Sequence, residues 1–300
     1  TKLLKLSLIF KITIYPFLYL ISLFPFFILN VISFHFYVLV FYVLRYRKKI
    51  VLENLKNSFP NKSTNELNQI SKKFYKHFCD LIIENIKLLS ISNKKFMKYC
   101  YFTPQALQLF NHYHKQNTTI ILALGHNGNW EWSLIAHQLN YKYNIVGIYH
   151  PLSNKNMDAL ISKLRNRGKV NLVTMQNSLR FLIGYKPQTK PGSIGLIADQ
   201  TPPKESSFWL TFLNQDTPFF GGPEKMAKKF NLPVLFIAMR KVKRNTYELD
   251  AKLITDSPKE TIEGEITKSY AMQLQELIIE QPEYWLWSHK RWKHKRNLNN

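Results

Sequence analysis

The segment HNGNWE places a histidine and a carboxylate five positions apart, His126 and Glu131, a pair suited to general-base catalysis. Moving an acyl group from a thioester to a hydroxyl needs a base for the hydroxyl proton and a group that fixes the tautomer of that base. It also needs hydrogen-bond donors for the developing oxyanion, and backbone N–H groups at a helix start can supply them. The two residues therefore predict a His126 base whose second ring nitrogen is bonded by Glu131.

This spacing has little specificity when it is taken alone. Nine histidines and 19 acidic residues make one chance match ordinary, although only His126 is followed by an acidic residue five positions later. Gly125 and Gly128 allow a tight turn here, and α/β active sites concentrate where strands end. A histidine that caps the helix beside a solvated Glu131 is the alternative interpretation.

The elements around this turn alternate between strand and helix patterns. Strands are predicted for TTIILALG, YNIVGIYH, VNLVTM, SIGLIADQ and LPVLFIAMR, with YELDAKLI as an edge strand, and helices for WEWSLIAHQL, MDALISKLRNRG and GPEKMAKKF. Residues 50–100 are predicted to be helical, with Ser63 or Thr64 as an N-cap ahead of Glu66. The alternation predicts an α/β fold with a mixed, largely parallel sheet flanked by helices.

An uncharged apolar stretch precedes this domain. No Asp, Glu, Lys or Arg occurs from Ile12 to Leu44, and this is longer than the roughly 20 residues that one span requires. We predict one transmembrane helix plus an interfacial segment, with bends at Pro16 and Pro25. Residues 1–48 would form this anchor and residues 49–300 the catalytic domain. A buried helical hairpin is the alternative.

The composition indicates an anionic partner. The net charge of +23 fits nucleic acid, an anionic membrane, or an acidic protein or phosphorylated substrate. Cys79 and Cys100 show no metal-ligand spacing, and glycine motifs for nucleotides are missing, so we predict no metal and no organic cofactor. Basic residues flank the apolar stretch on both sides, and the denser cluster from Arg45 to Lys49 favours a cytoplasmic domain.

The segment LGHNGNWEW resembles the His-x4-acid motif of the lysophospholipid acyltransferase superfamily and, more closely, that of the bacterial lipid A biosynthesis acyltransferases of the lauroyl/myristoyl type. Five more segments resemble this family in the same order: YRKKIVLENLKNSFP, IYHPLSNKNMDALISKLRNRG, GLIADQTP, TPFFGGPEKMAKKFNLPVLF and PEYWLWSHKRWK. The resemblance covers nearly the whole chain. It implies acyl transfer from an acyl carrier protein, or from acyl-coenzyme A, to a lipid A precursor on the cytoplasmic face of the bacterial inner membrane.

The resemblance also assigns residues. His126 matches the catalytic histidine, Glu131 its acidic partner, Arg165 an arginine at the site, and Asp199 an acidic residue at a strand tip. The neighbours expected to join Arg165 and Asp199 in substrate binding are Asn127, Asn129, Arg167 and Gln200.

Two departures from the family pattern concern the acceptor. Gly221–Pro223 replaces the usual Thr-Gly-Pro, and the loop after Gln200 lacks the expected run of glycines and basic residues. A glycerophospholipid, an amino-acid lipid or another glycolipid therefore remains an alternative acceptor. Two other classes, a basic nucleic-acid-binding protein and a membrane scaffold with a decayed site, are opposed by the lack of a nucleic-acid motif and by the intact His126–Glu131 pair.

Overall fold

The computed structural model describes residues 7–8, 10–141, 143–166, 170–186, 191–203 and 207–296. The basic residues Lys2 and Lys5, the candidate site residue Arg167 and the expected helix-ending Gly168 lie outside these ranges. The strands are β1 (Cys100–Phe102), β2 (Thr119–Leu124), β3 (Asn144–Tyr149), β4 (Asn171–Thr174), β5 (Gly192–Ile197), β6 (Ser207–Phe212), β7 (Gln215–Phe220), β8 (Val234–Lys243) and β9 (Thr246–Thr255).

The helices cover both the apolar N-terminal region and the connections between strands. They are α1 (Tyr15–Leu23), α2 (Phe26–Val38), α3 (Lys48–Ser58), α4 (Thr64–Lys87), α5 (Asn93–Phe96), α6 (Pro104–Lys115), α7 (Trp130–Asn140), α8 (Lys155–Arg165), α9 (Ser178–Tyr185), α10 (Gly222–Phe230) and α11 (Glu265–Glu280). Ser63 caps α4 and forms a reciprocal capping box with Glu66, as the sequence predicts.

Seven strands of the described chain form one sheet in the order β1-β9-β8-β2-β5-β3-β4, and β6 pairs with β7 in a separate hairpin. Within the large sheet β8 and β9 pair antiparallel, and the other neighbouring strands pair parallel. Strands β1 and β9 therefore run opposite to the other five. The predicted α/β fold with a mixed, largely parallel sheet is confirmed. The expectation that YELDAKLI forms an edge strand is wrong, because β1 pairs with β9 on its outer side.

Strand β2 lies in the middle of the sheet and is buried along its whole length. Its alternate residues enter two apolar cores on opposite faces: Ile121 and Ala123 on one side, Ile120, Leu122 and Leu124 on the other. This is the two-residue period of a strand covered by helices on both faces. The residues that follow β2 are therefore delivered from a rigid, central position.

The N-terminal apolar region breaks at Pro25, between α1 and α2, as predicted. Pro16 lies in the first turn of α1, directly after the π-helical segment Phe10–Ile14, and the bend expected there stays a prediction. The segment Phe26–Val43 is long and apolar enough to cross a membrane. Its outer side chains, such as Phe27 and Val43, are exposed, whereas its inner side packs on α4, where Ser33 Oγ donates to Asp80 Oδ1 at 2.6 Å.

Candidate active site

Two neighbouring parallel strands place the central pair of side chains. Leu124, the last residue of β2, is in register with Ile197, the last residue of β5. His126 and Asp199 each lie two residues beyond those ends, so they emerge side by side at the carboxyl edge of the sheet. The Nδ1 atom of His126 lies 2.6 Å from Oδ1 of Asp199.

Asp199 is buried and fully engaged. Its Oδ2 accepts hydrogen bonds from the backbone N–H of His126 at 2.7 Å and from Nε1–H of Trp285 at 2.8 Å. Burial acts to raise the pKa of Asp199, but the attraction of His126 and these hydrogen bonds outweigh burial and hold the pKa below its usual value. An ionised Asp199 fixes the Nδ1–H tautomer of His126 and leaves Nε2 as the basic nitrogen.

The basic nitrogen borders a cleft of about 580 Å³, which His126, Trp130, Glu131, Arg165 and Gln200 help to line. The amide of Gln200 donates from Nε2 to His126 Nε2 at 3.2 Å. Both predicted site residues Arg165 and Gln200 therefore reach the cleft. A substrate group that exchanges a proton with Nε2 must replace the Gln200 amide.

Glu131 has a different partner from the expected one. Its carboxylate accepts two hydrogen bonds from Arg165, from Nε and Nη2, both at 2.6 Å, and a third from Trp130 Nε1 at 3.2 Å. Burial acts to raise the pKa of Glu131, but the pairing with Arg165 outweighs it and lowers the pKa. The expectation that Glu131 bonds the imidazole is thus corrected: Asp199, which the resemblance places among substrate-binding residues, holds that position.

Glycines shape the turn between β2 and α7. A Cβ on Gly125 would lie 2.4 Å from Leu274 and 3.3 Å from Asp199 Oδ2, so a side chain there would disturb the carboxylate. Gly128 has a φ of +60°, and a Cβ there would lie 2.8 Å from Met239. Glycine at 128 is therefore favoured by the backbone conformation, whereas a side chain at 125 would have to displace Leu274 and press on Asp199.

Asn127 and Asn129 point behind the turn rather than into the cleft. Both are buried; Asn127 Nδ2 donates to Met239 O at 2.9 Å, and Asn129 Nδ2 donates to Glu84 Oε2 at 2.8 Å. Neither residue is among those that line the cleft, and both amides hold the turn against the protein interior, so their role in substrate binding stays a prediction. Glu84 on α4 is the residue behind them, and its burial raises its pKa.

A C-terminal strap, Tyr284–Trp292, closes the site from the side of α3. Gly128 N–H donates to Tyr284 O at 2.9 Å, and Leu286 N–H donates to His126 O at 3.1 Å. Trp285 follows in the same strap and bonds Asp199. Local spacing carries no signal for this contact, because Trp285 and Asp199 are 86 residues apart in the sequence.

The described residues hold no group of three or more His, Cys, Asp or Glu side chains that could bind a metal ion. Cys79 and Cys100 are both buried and unpaired with each other. What the site does offer is a tautomer-fixed imidazole, a second ion pair and a partly apolar cleft. These groups suit proton transfer to and from a bound substrate.

Comparison with known proteins gives the family. A search of curated proteins finds no match to this chain. A family model described as "Bacterial lipid A biosynthesis acyltransferase" matches residues 1–294. Acyl transfer is the chemistry of that family. Because the match spans nearly all of the 300 residues, the chain belongs to the bacterial lipid A biosynthesis acyltransferases.

Proposed function

We propose that this protein transfers a fatty acyl group from an acyl thioester, carried by an acyl carrier protein, to a hydroxyl group of a lipid A precursor. The observation that carries the proposal is the 2.6 Å contact between His126 Nδ1 and the buried Asp199, with Nε2 left to face the cleft. A hydroxyl that replaces the Gln200 amide would meet a base of fixed tautomer.

In the proposed reaction, the acceptor oxygen attacks the thioester carbonyl while His126 Nε2 takes the hydroxyl proton. The carbonyl becomes a tetrahedral oxyanion, which collapses as the carbon–sulfur bond breaks. The imidazolium then returns the proton to the leaving thiolate, so the base is regenerated. Asp199 stays ionised throughout and stabilises the transient imidazolium, because its pKa lies below its usual value.

The first turn of α7 and Arg165 are the candidate stabilisers of the oxyanion. The N–H groups of Trp130 and Glu131 belong to a first helical turn, which lacks acceptors within the helix and carries a partial positive charge. The Glu131 carboxylate engages Nε and Nη2 of Arg165 and so fixes the guanidinium beside the cleft. Glu131 acts here as a positioning residue for Arg165.

The acyl chain is expected to lie in the apolar part of the cleft, above β3 and β5. Leu134, Gly147, Leu172, Gly195 and Leu196 line this part. The two glycines leave space above the strands because they have no side chain. A Cβ would lie 2.9 Å from Leu134 if added to Gly147, and 3.2 Å from Leu134 if added to Gly195. A fatty chain there would be shielded from water on several sides.

The apolar segment Phe26–Val43 supports a membrane location for this chemistry. We infer that it inserts into the bacterial inner membrane, with the basic domain against the anionic cytoplasmic leaflet. The acceptor lipid would then approach from the membrane without leaving it.

The test is transfer by the purified protein in detergent, with acyl carrier protein and coenzyme A thioesters as alternative donors and a lipid A precursor as acceptor. His126→Ala should lower the rate about 10²–10⁴-fold, the usual effect of losing a general base. His112→Ala is the control, because that histidine is exposed on α6. Equal rates for the two variants would reject His126 as the base, and transfer only to a different lipid would reject the acceptor.

A further inference from the structure

A second cavity, the basic groove, is lined by α3, by the turn between β6 and β7, and by residues 290–296, which include the end of the C-terminal strap and the four residues after it. Its volume is about 1030 Å³. The basic residues that line it are Lys56, Lys290, Lys293, His294, Lys295 and Arg296. Two carboxylates, Glu53 and Asp216, also line it, so five lysine or arginine charges face two negative ones. The groove is therefore suited to an anion with at least two negative charges.

The strap that forms one wall is held in place rather than loosely solvated. Asn54 on α3 donates from Nδ2 to Trp287 O at 2.8 Å and to His289 O at 3.0 Å. Thr201 donates to Arg291 O at 2.8 Å, and Trp292 Nε1 donates to Thr217 Oγ1 at 2.7 Å. Because the chain is held as far as Trp292, the backbone at Lys290 is fixed, and Lys293 is the residue that directly follows the last held one.

The groove and the catalytic cleft share a wall. Lys293 lines both cavities, and His289, four residues earlier, lines the cleft. A molecule whose reacting hydroxyl lies at His126 can therefore extend its polar part past Lys293 into the groove. The shared residue Lys293 places a cationic site next to the catalytic cleft.

The other side chains of the groove narrow the class of ligand. The amide of Asn57 can bond sugar hydroxyls, and Trp292 offers an aromatic face. The amide nitrogens of Asn214 and Gln215 donate to Ser58, so these two side chains offer their amide oxygens as acceptors. Lysine ammonium groups bind phosphate as point charges. A concave groove of this size admits a headgroup, whereas a partner protein of usual affinity would need roughly 800 Å² of matching surface.

We propose that the basic groove binds a phosphate group on the sugar headgroup of the acceptor, with Lys293 as the residue that connects it to the catalytic cleft. This proposal rests on the proposed function, because the ligand of the groove is the phosphorylated acceptor of that reaction and not its acyl donor.

The experiment is steady-state kinetics in neutral detergent at low salt, with each substrate varied in turn. Two acceptors are compared, the phosphorylated lipid A precursor and the same lipid after enzymatic removal of its phosphate. The variants are Lys293→Gln and Lys56→Gln, and the control is Lys229→Gln, an exposed lysine on α10 that belongs to neither set of lining residues.

Loss of one charge-assisted hydrogen bond predicts a rise of about tenfold in KM for the phosphorylated acceptor, with kcat and the KM for the donor unchanged. The phosphate-free acceptor should show a high KM that neither variant changes. An unchanged acceptor KM would overturn the proposal. So would a rise in the donor KM alone, which would assign the groove to an acidic carrier protein or to donor phosphates.

A binding measurement separates this proposal from the proposed function. His126→Ala, with and without Lys293→Gln, is titrated with the two lipids in micelles. If binding depends on both the lipid phosphate and Lys293, but the wild type transfers no acyl group, the phosphate site stands and the proposed function is rejected. If the wild type transfers an acyl group, but binding does not depend on the phosphate, the proposed function stands and the phosphate site is rejected.

Discussion

Breaking the ion pair between Glu131 and Arg165 should destabilise the fold around the cleft. The two side chains are 13% and 19% exposed and share two hydrogen bonds of 2.6 Å. Glu131→Gln leaves the guanidinium in a poorly solvated place without its counter-charge. Removing one partner of a buried pair costs about 3–5 kcal/mol, and the residual exposure here favours the lower end.

A loss of about 3 kcal/mol should lower the midpoint of thermal unfolding by roughly 6–12 °C. The assay is thermal unfolding in detergent for Glu131→Gln, Arg165→Gln and the double variant. The double variant should cost less than the sum of the two single variants, because it leaves no unpaired charge. Glu280→Gln is the control, since its pair with Arg240 is more exposed and should be worth less than about 1 kcal/mol.

The result that would refute this reasoning combines stability and kinetics. If Glu131→Gln kept the wild-type midpoint while kcat fell about a thousandfold, Glu131 would act on the reacting groups and not through Arg165. Additive losses in the double variant would show equally that the two side chains do not interact.

Three further outcomes follow from the site and the core. Trp285→Phe removes one donor to Asp199 and should lower kcat about tenfold, with a smaller effect on KM; an unchanged kcat would remove Trp285 from the site. Gly195→Val should fill part of the cleft and shift donor preference to shorter acyl chains, measured with a series of thioesters; an unchanged chain-length profile would place the acyl chain elsewhere. Burial lowers the pKa of His114 to about 4 and that of His137 to about 3, so the unfolded chain takes up protons near pH 6.5 while the folded chain does not. Stability should therefore be full above pH 6.5 and fall by about 1.4 kcal/mol per histidine for each pH unit between 6.5 and 4; an unfolding midpoint that did not fall between pH 7 and pH 5 would contradict this.

Periodicity and strand-end composition were sufficient to predict the fold class. The apolar runs at β2, β3, β5 and β8 are long and end in polar or glycine residues, so their positions follow from the sequence. The three-residue strand β1 is too short to show a pattern, and for that reason the sequence indicates an edge strand at β9 although β1 lies outside it.

The site was predictable only in part, because local spacing describes one element and not its neighbours in space. The sequence places His126 and Asp199 at strand ends, but it does not reveal that β5 lies beside β2 while β3 lies outside β5. That order makes Asp199 the partner of His126 and leaves Glu131 to Arg165. Trp285 reaches the pair from the far end of the chain.

The central claim is that the Nδ1–H group of His126 donates its hydrogen bond to Asp199 and not to Glu131. NMR of protein labelled with ¹⁵N-histidine, with His126→Ala to assign the signal, measures this proton directly. The claim predicts a strongly deshielded Nδ1–H signal that persists in Glu131→Gln and disappears in Asp199→Asn. A signal that persists in Asp199→Asn and disappears in Glu131→Gln would contradict it.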